Sequence, residues 1–405
     1  MEIPSFIYLA IIFLSAYITK KITEKLKIPE VTGYVLIGVI LGVSLLHVLN
    51  TEVVDKLSGI STVALGIIAF IIGSELRLDV IKKLGKSVLM IVLLECLGAF
   101  AVVYLVLMLV YPGNTYLALL LGSVASATAP AATIAVIKQY KAKGPLTSTI
   151  IAVVGIDDAM ALIIYVFASS IVKAGLTGGH AQMIQIVGKT LLSIGESVAC
   201  GALTALLFKL LLNKIRETEL ILLMLAAIIL GLLGVSEILG ISELLSIMSF
   251  GCVLVNLAPQ LAKKSGNLIE HFSPIFLAAF FLLGGAHLDV RLLKQVGVMG
   301  LIYFAARSTG KMGGASLGAI IGRASKPIKK YIGFTLLPQV GVALALALSI
   351  NKEFTKPIFG EEGAQMANVI INILLFTTII TEIIGPLLTR FALTKAGEIT
   401  AGTRE

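Results

Sequence analysis

The sequence predicts an all-α polytopic membrane protein with about 13 transmembrane helices. Of its 405 residues, 58% are hydrophobic and 14% are charged, and the mean hydropathy is +1.02. Soluble domains carry about 25% charged residues, so this composition indicates a membrane protein. Apolar segments recur along the whole chain, and its two halves resemble each other. These observations together predict the fold class.

The apolar segments are each long enough to cross a bilayer, because roughly 20 apolar residues in a helix span a hydrocarbon core of about 30 Å. Thirteen such segments can be counted. Their approximate limits are 5–23, 30–50, 57–74, 87–110, 115–137, 147–172, 184–212, 218–235, 240–257, 270–287, 295–321, 331–350 and 365–392.

Lysine and arginine residues are distributed unequally between the two predicted sides of the membrane. The connections after odd-numbered segments, together with the C-terminal end, hold 22 of them, whereas the other connections hold 7. By the positive-inside rule, we expect the N-terminus outside and the C-terminus in the cytoplasm, in a multi-pass protein of the cell membrane. The formal net charge of +9 therefore reflects topology, and a nucleic-acid partner is not expected.

Cysteine and histidine residues give no indication of a cofactor. Cys96, Cys200 and Cys252 all fall inside apolar segments, where a packing role is expected instead of a disulfide or a metal site. The histidines show no spacing typical of metal ligands. We therefore expect neither a cofactor nor a structural metal.

The two halves of the chain contain a weak internal repeat. Residues 28–41 align without gaps on residues 241–254, and residues 70–80 align on residues 281–290. The matched segments lie an odd number of spans apart, so the two copies run in opposite directions, which is typical of secondary transporters. We expect one transmembrane unit, 1–392, made of repeats at about 1–172 and 218–392, a linker helix at 184–212 and a short cytoplasmic tail at 393–405.

The fifth and twelfth segments each contain a proline near the middle. Pro130 follows a run of small residues, and Pro338 lies at the corresponding position of the second repeat. Proline removes a backbone hydrogen bond, so both helices are expected to be interrupted. Interrupted helices at corresponding positions indicate a binding site at mid-membrane, where freed carbonyl groups coordinate a cation. Other candidate residues in these elements are Ser126, Thr128, Thr133 and Gln339.

Asp157 and Asp158 are adjacent in the sixth segment, in a stretch that has no lysine or arginine between Lys143 and Lys173. An ionised aspartate near the bilayer centre costs about 2.5–3.5 kcal/mol on insertion scales. Such residues usually bind and release a cation or a proton. Neighbouring residues on a helix point about 100° apart, so we expect the two carboxylates to have different roles.

Arg307 and Lys311 in the eleventh segment are candidates for the counter-charge, because their spacing places them on one helix face. A buried lysine loses its proton readily, so a lysine–aspartate pair can act as a proton-releasing switch. A purely structural ion pair is the alternative for both residues. Glu95, Glu196 and Glu382 also lie in predicted segments, and the sequence leaves open whether they carry protons or pair between helices.

Together these features resemble the monovalent cation:proton antiporters with two adjacent aspartates. That group includes NapA-type sodium/proton antiporters and the membrane part of Kef-type potassium efflux systems. The resemblance extends over essentially the whole chain. It rests on Asp157 and Asp158, on Thr128 and Pro130, on Arg307 and Lys311, and on residues 337–341.

The resemblance implies a homodimer in which each protomer has a dimerisation domain and a core domain with two crossing discontinuous helices. It also implies an elevator-like shift of the core. Asp158 would carry the cation and the proton, Asp157 would pair with Lys311, and Thr128 with nearby carbonyls would complete the ion shell. Because the sequence continues only to residue 405 after the last segment, we expect no nucleotide-sensing domain of the Kef type. Gln339 replaces a residue that is charged in many relatives, so the choice of ion stays open.

The sequence therefore predicts an antiporter, not an enzyme, that exchanges Na⁺, and also Li⁺, for protons. A potassium/proton antiporter is the nearest alternative, because the sequence does not fix the radius of the site. A channel or a sodium-coupled symporter is a remoter one, since a symporter for organic solutes needs a larger polar pocket. An intramembrane aspartyl protease needs two acids facing each other from different helices, which adjacent residues do not provide. Membrane lipid and a second copy of the chain are the other expected partners.

Overall fold

The computed structural model describes residues 4–26, 30–79, 85–177, 183–212, 217–288, 291 and 293–399. In these ranges the chain forms helices and connections, without a β-strand. Eight of the described helices are long and apolar enough to cross a membrane, and three shorter ones are also apolar. The predicted all-α membrane fold is confirmed, whereas the exact number of crossings stays a prediction.

Each of the thirteen predicted segments overlaps a helix or an interrupted pair of helices. Two short 3₁₀ turns, Ile332–Thr335 and Pro357–Phe359, precede the last two α-helices. The α-helices of the described chain are α1 Ser5–Leu26, α2 Glu30–Leu41, α3 Thr51–Lys56, α4 Ser58–Glu75, α5 Gly85–Val110, α6 Thr115–Ala125, α7 Pro130–Gln139, α8 Pro145–Leu176, α9 Met183–Leu212, α10 Thr218–Leu239, α11 Glu243–Leu257, α12 Pro259–Ala286, α13 Leu293–Ile321, α14 Lys326–Tyr331, α15 Gly341–Phe354 and α16 Gly360–Lys395.

Two predicted boundaries were wrong by several residues. The tenth segment was expected from residue 270, but α12 begins at Pro259. Its first turns contain Lys263 and Lys264, which lower the hydropathy without interrupting the helix. The second segment was expected to continue to residue 50, but α2 ends at Leu41 and a turn follows. Hydropathy therefore located the helices better than it located their ends.

The helices form two packing groups. In the first bundle, which comprises α1–α4 and α9–α12, α11 packs against α4 and α9, and α2 packs against α12. In the second bundle, which comprises α5–α8 and α13–α16, the most extensive contact joins α5 to α13. Helices α8 and α16 also touch the first bundle. Because the second bundle contains both interrupted helices and both aspartates, it positions the candidate site.

Contacts between glycines follow the predicted repeat. A Cβ atom on Gly38 of α2 would collide with the backbone of Leu282 in α12 and lie 3.0 Å from the Cα atom of Gly285. A Cβ atom on Gly251 of α11 would collide with the backbone of Phe70 and Ser74 in α4 and lie 3.1 Å from the carbonyl carbon of Gly73. In the predicted repeat, α2 corresponds to α11 and α4 corresponds to α12. The contact between α2 and α12 in one copy therefore corresponds to the contact between α11 and α4 in the other. Parts of the aligned segments lie outside the described residues, namely Ile28, Pro29, Val80, Asp289 and Val290.

A glycine face on α13 lets it approach α5 closely, as small residues do in membrane helix pairs. A Cβ atom on Gly310 would lie 2.6 Å from the carbonyl oxygen of Gly98. A Cβ atom on Gly314 would collide with the backbone of Leu94 and Glu95. This close approach sets the distance between polar side chains that α5 and α13 direct at each other.

We predict that Gly314→Ala destabilises the protein by about 1–3 kcal/mol, because the added methyl group collides with backbone that cannot move aside. The matched control is Gly313→Ala, where nothing lies within 4 Å of the added carbon. Thermal unfolding of both variants in detergent measures the effect. Equal unfolding temperatures for the two variants would contradict close α5–α13 packing.

Candidate ion-binding site

The two predicted helix interruptions are present and lie against each other. Residues 126–129 separate α6 from α7, which begins at Pro130, and residues 336–340 separate the 3₁₀ turn from α15. The backbone N–H of Ala129 donates a hydrogen bond of 2.8 Å to the carbonyl of Pro338. The non-helical backbone of one repeat is therefore bonded directly to that of the other.

Arg307 holds the two interruptions together. Its Nε donates to the carbonyl of Ala125 at 3.1 Å, and its Nη2 donates to the carbonyl of Ala127 at 2.8 Å. Its Nη1 donates to the carbonyl of Leu337 at 2.7 Å. The Arg307 side chain is fully buried. The structure thus places this guanidinium on freed backbone carbonyls, whereas the sequence suggested it as a counter-charge for the aspartates.

Gln339 also connects the two interruptions. Its side-chain amide donates to the carbonyl of Val124 at 3.1 Å and to the hydroxyl of Tyr303 at 2.9 Å. The backbone carbonyl of Gln339 accepts hydrogen bonds from the hydroxyl groups of Thr378 and Thr381 at 3.0 and 3.4 Å. The side-chain amide of Gln339 therefore joins the second interruption to the end of α6 and to α13, and its backbone carbonyl joins it to α16.

Thr133 and Ser126 bond to backbone and not to each other. The hydroxyl of Thr133 donates to the carbonyl of Thr335 at 2.9 Å, which joins α7 to the 3₁₀ turn just before the second interruption. The hydroxyl of Ser126 donates to the carbonyl of Cys96 at 3.0 Å, which joins the first interruption to α5. Both side chains are fully buried. In this arrangement they stabilise the interrupted backbone.

Lys311 lies among carboxylate and hydroxyl oxygens. Its Nζ is 2.6 Å from Glu95 Oε2 and donates a hydrogen bond of 2.5 Å to Thr128 Oγ1. The same atom is 3.8 Å from Asp157 Oδ2. The side chains of Lys311, Glu95 and Asp157 are fully buried. The structure therefore brings Lys311, Thr128 and Asp157 together, and the nearest carboxylate to the lysine is that of Glu95.

Glu95 is the site residue that sequence reasoning did not place. It was one of three intramembrane glutamates with no assigned role, and the other two lie elsewhere. Glu196 is exposed on α9, whereas Glu382 is buried and accepts a 2.9 Å hydrogen bond from Thr32 on α2. One sequence feature could have identified Glu95 as a site residue. It lies one helical turn before Gly98, on the face of α5 that approaches α13.

Asp157 and Asp158 lie on α8 with relative exposures of 0% and 6%. Within the described chain, neither carboxylate oxygen of Asp157 accepts a hydrogen bond, and Asp158 Oδ1 does not either. Buried polar oxygens normally have a hydrogen-bond partner. These oxygens are therefore available to a proton or to a cation.

The charges of the cluster do not balance. Glu95, Asp157 and Asp158 are three carboxylates, and Lys311 is the one basic side chain that an ion pair links to them in the described chain. When all four groups are ionised, two negative charges remain. Leaving these uncompensated at low dielectric is costly. The cluster is therefore suited to taking up monovalent cations or protons.

A cavity of about 430 Å³ lies between the bundles near the α8 end farthest from Pro145. It is lined by Tyr165 and edged by two ion pairs, Lys173–Glu353 at 2.9 Å and Lys352–Glu243 at 3.1 Å. Between this cavity and Asp158, apolar side chains fill the space where the two bundles meet. Leu65, Leu162, Val342 and Leu346 belong to this apolar layer and are all buried.

Inverted repeats, two interrupted helices in contact, and buried carboxylates beside them define a secondary transporter of the polytopic membrane class. The chain belongs to the sodium/hydrogen exchanger family, whose transmembrane model matches residues 9–395. This family comprises antiporters and not enzymes. The resemblance found in the sequence is confirmed.

Solved structures agree with the fold. The chain is similar to the sodium proton antiporter MjNhaP1 from Methanocaldococcus jannaschii at pH 8, with a TM-score of 0.82, 19% identity and coverage of 97% of this chain and 98% of that chain. An electron-microscopy structure of MjNhaP1 gives a TM-score of 0.76 at 19% identity and covers both chains fully. No curated protein sequence matches the chain. At this identity the structural likeness establishes the architecture.

We predict that Arg307→Met destabilises the protein by about 3 kcal/mol or more, because it leaves buried carbonyls of both interruptions without donors. Methionine keeps an elongated side chain without the guanidinium. Arg323→Met is the control, since Arg323 is exposed just beyond the end of the same helix. Thermal unfolding in detergent provides the measurement. A variant as stable as the control would show that the guanidinium bonds are dispensable.

Proposed function

We propose that this protein exchanges Na⁺, and also Li⁺, for protons across the cell membrane as a secondary antiporter, with its N-terminus outside. The family supports sodium/proton exchange. The observation that carries the proposal for this chain is the Asp157–Asp158 pair beside the paired interruptions. Both carboxylate oxygens of Asp157 and Oδ1 of Asp158 are buried without a hydrogen bond in the described chain. An oxygen-lined site suits a hard monovalent cation.

In this proposal Asp158 binds the cation and the proton alternately. Asp157 pairs with Lys311, as supported by their separation of 3.8 Å. Thr128 and freed carbonyls of the first interruption complete the ion shell. Thr128 supports this role by its position, because it is buried within the interruption and touches Lys311.

Competition for one carboxylate couples the two fluxes. The empty, ionised site is costly to move through the low-dielectric barrier, whereas a site neutralised by a cation or a proton moves at lower cost. The moving unit in this proposal is the second bundle, acting as the core domain, and the first bundle acts as the dimerisation domain. The separate packing of the two bundles supports an elevator-like shift of one along the other.

The proposal includes a homodimer surrounded by membrane lipid. Large apolar side chains are exposed on the outer faces of α9 and α10, and such faces require lipid or protein contact. Examples are Leu203 at 61%, Leu207 at 58%, Leu223 at 67% and Leu230 at 53% exposure. In the proposed dimer, a second copy of the chain packs on part of this surface, and lipid contacts the rest.

We predict that Asp158→Asn abolishes exchange, because an amide neither takes up a proton nor neutralises a cation. The purified protein is reconstituted in liposomes with an imposed pH gradient, and Na⁺, Li⁺ or K⁺ is added while internal pH is followed. Na⁺ and Li⁺ are expected to dissipate the gradient in the wild type. The matched control is Asp55→Asn, which alters an exposed aspartate on α3.

Full activity in Asp158→Asn would refute the assignment of the carrier residue. A wild-type response to K⁺ alone would replace the proposed cation with potassium. Both results come from the same assay and are distinguishable.

We also predict that protons compete with Na⁺ for the site. A proton on Asp158 must leave before the cation binds, so lowering the pH raises the Na⁺ concentration that gives half-maximal exchange. In the acidic range this concentration rises by about tenfold per pH unit for a single competing proton. Initial exchange rates at several pH values and Na⁺ concentrations test this. A half-maximal concentration that does not change with pH would contradict a shared carboxylate.

A further inference from the structure

The helix that carries the aspartates has an unusual N-terminal cap. Helix α8 begins at Pro145 after Gly144, and no side chain of its own flanking residues caps it. The first N–H groups of a helix need acceptors from elsewhere. Glu398, which lies beyond the end of α16, provides them. Its Oε1 accepts from the N–H of Leu146 and its Oε2 from the N–H of Thr147, both at 2.7 Å.

Further contacts fix Glu398 in this position. Its Oε2 also accepts from the hydroxyl of Thr147 at 2.7 Å, and its backbone carbonyl accepts from the N–H of Lys143 at 3.1 Å. Only 8% of Glu398 is exposed. A carboxylate at this end of a helix is also stabilised by the helix dipole. The charged side chain is thus held by hydrogen bonds and by the field of α8.

Residues around the contact between Glu398 and α8 leave room for it and support it. A Cβ atom on Gly144 would collide with the side chain of Glu398, so glycine allows the carboxylate to reach the helix. Leu393, in the last turn of α16, is fully buried in the apolar cluster that contains Leu146 and Ile150. The segment after α16 is therefore seated by apolar packing as well as by the carboxylate.

The contact joins two helices that serve the candidate site. Helix α8 carries Asp158 twelve residues after Leu146, which corresponds to about 18 Å along the helix axis. Helix α16 carries Thr378 and Thr381, whose hydroxyl groups donate to the carbonyl of Gln339 in the second interruption. Glu398 therefore links the helix of the acids to the helix that supports the interruption.

We propose that Glu398 is a positioning residue for cation exchange. Its carboxylate fixes α8 along its axis relative to α16, and this places Asp158 against the interrupted helices. Without the carboxylate, the first turn of α8 loses its acceptors and the helix shifts or frays at that end. Small displacements of reacting or liganding groups have large effects on binding and rate. The inference rests on the proposed cation site at Asp158.

The expected result is a loss of cation affinity. Glu398→Gln keeps the size of the side chain but turns an NH₂ group toward backbone donors. We expect it to raise the half-maximal Na⁺ concentration by about tenfold, consistent with the loss of a buried helix cap, with a smaller change in maximal rate. Glu398→Asp, which keeps the charge, should restore part of the affinity. Glu362→Gln, an exposed glutamate in the first turn of α16, is the matched control.

A second variant perturbs the same contact without removing a charge. Gly144→Ala displaces the Glu398 side chain and leaves the carboxylate in the protein. It is expected to raise the half-maximal Na⁺ concentration in the same direction as Glu398→Gln. Gel filtration in detergent selects folded protein for each variant before reconstitution, so the comparison is made on folded samples.

The outcomes separate the inference from the proposed function. If Glu398→Gln and Gly144→Ala both lower the maximal rate with an unchanged half-maximal Na⁺ concentration, Glu398 contributes to stability alone and the inference is overturned. The same holds if both variants behave as the wild type. Loss of Na⁺-dependent exchange in the wild type itself would instead refute the proposed function.

Discussion

The hydrogen bonds from Arg307 to three backbone carbonyls are the constraint on which the rest of the site depends. In a membrane, backbone groups must find partners within the protein, because no water is available in the hydrocarbon. Two interrupted helices leave several carbonyls free at the same depth. A guanidinium presents five donors in a fixed plane, so one side chain serves carbonyls from both interruptions. The interrupted backbone is thereby compatible with a buried location.

Arg307 and Lys311 lie on neighbouring turns of α13 and have different roles. The arginine donates its hydrogen bonds to backbone carbonyl groups. The lysine meets Glu95, Thr128 and Asp157 instead. A fixed framework and a chemically responsive cluster therefore lie side by side. The close approach of α5 and α13 at their glycines makes this possible, because it brings Glu95 within reach of Lys311.

The helices, their interruptions and the importance of the aspartate pair could be predicted from the sequence, because each depends on residues that are close together in the chain. Hydropathy locates apolar helices, and the prolines at Pro130 and Pro338 remove backbone hydrogen bonds at matching positions of the repeat. Proline alone is not sufficient, because Pro274 and Pro386 lie inside continuous helices. The partners of Arg307, the Glu95–Lys311 ion pair and the Glu398 cap could not be predicted in this way. Each joins residues from distant parts of the chain, and each depends on how closely particular helices pack. A charged residue in an apolar segment indicates that a partner exists, but only the tertiary contacts identify it.

The apolar layer beside Leu162 has a consequence for the electric field across the protein. A membrane potential of 100 mV corresponds to about 2.3 kcal/mol per elementary charge. Water filling the cavity lined by Tyr165 would conduct this potential inward to that residue, and the remaining drop would then begin at that depth. Tyr165 and Asp158 are seven residues apart on α8, or about 10 Å along its axis. With water on its cavity side, the layer would act as a thin insulator, and a charge on Asp158 would experience a steep local gradient instead of one spread over the full bilayer.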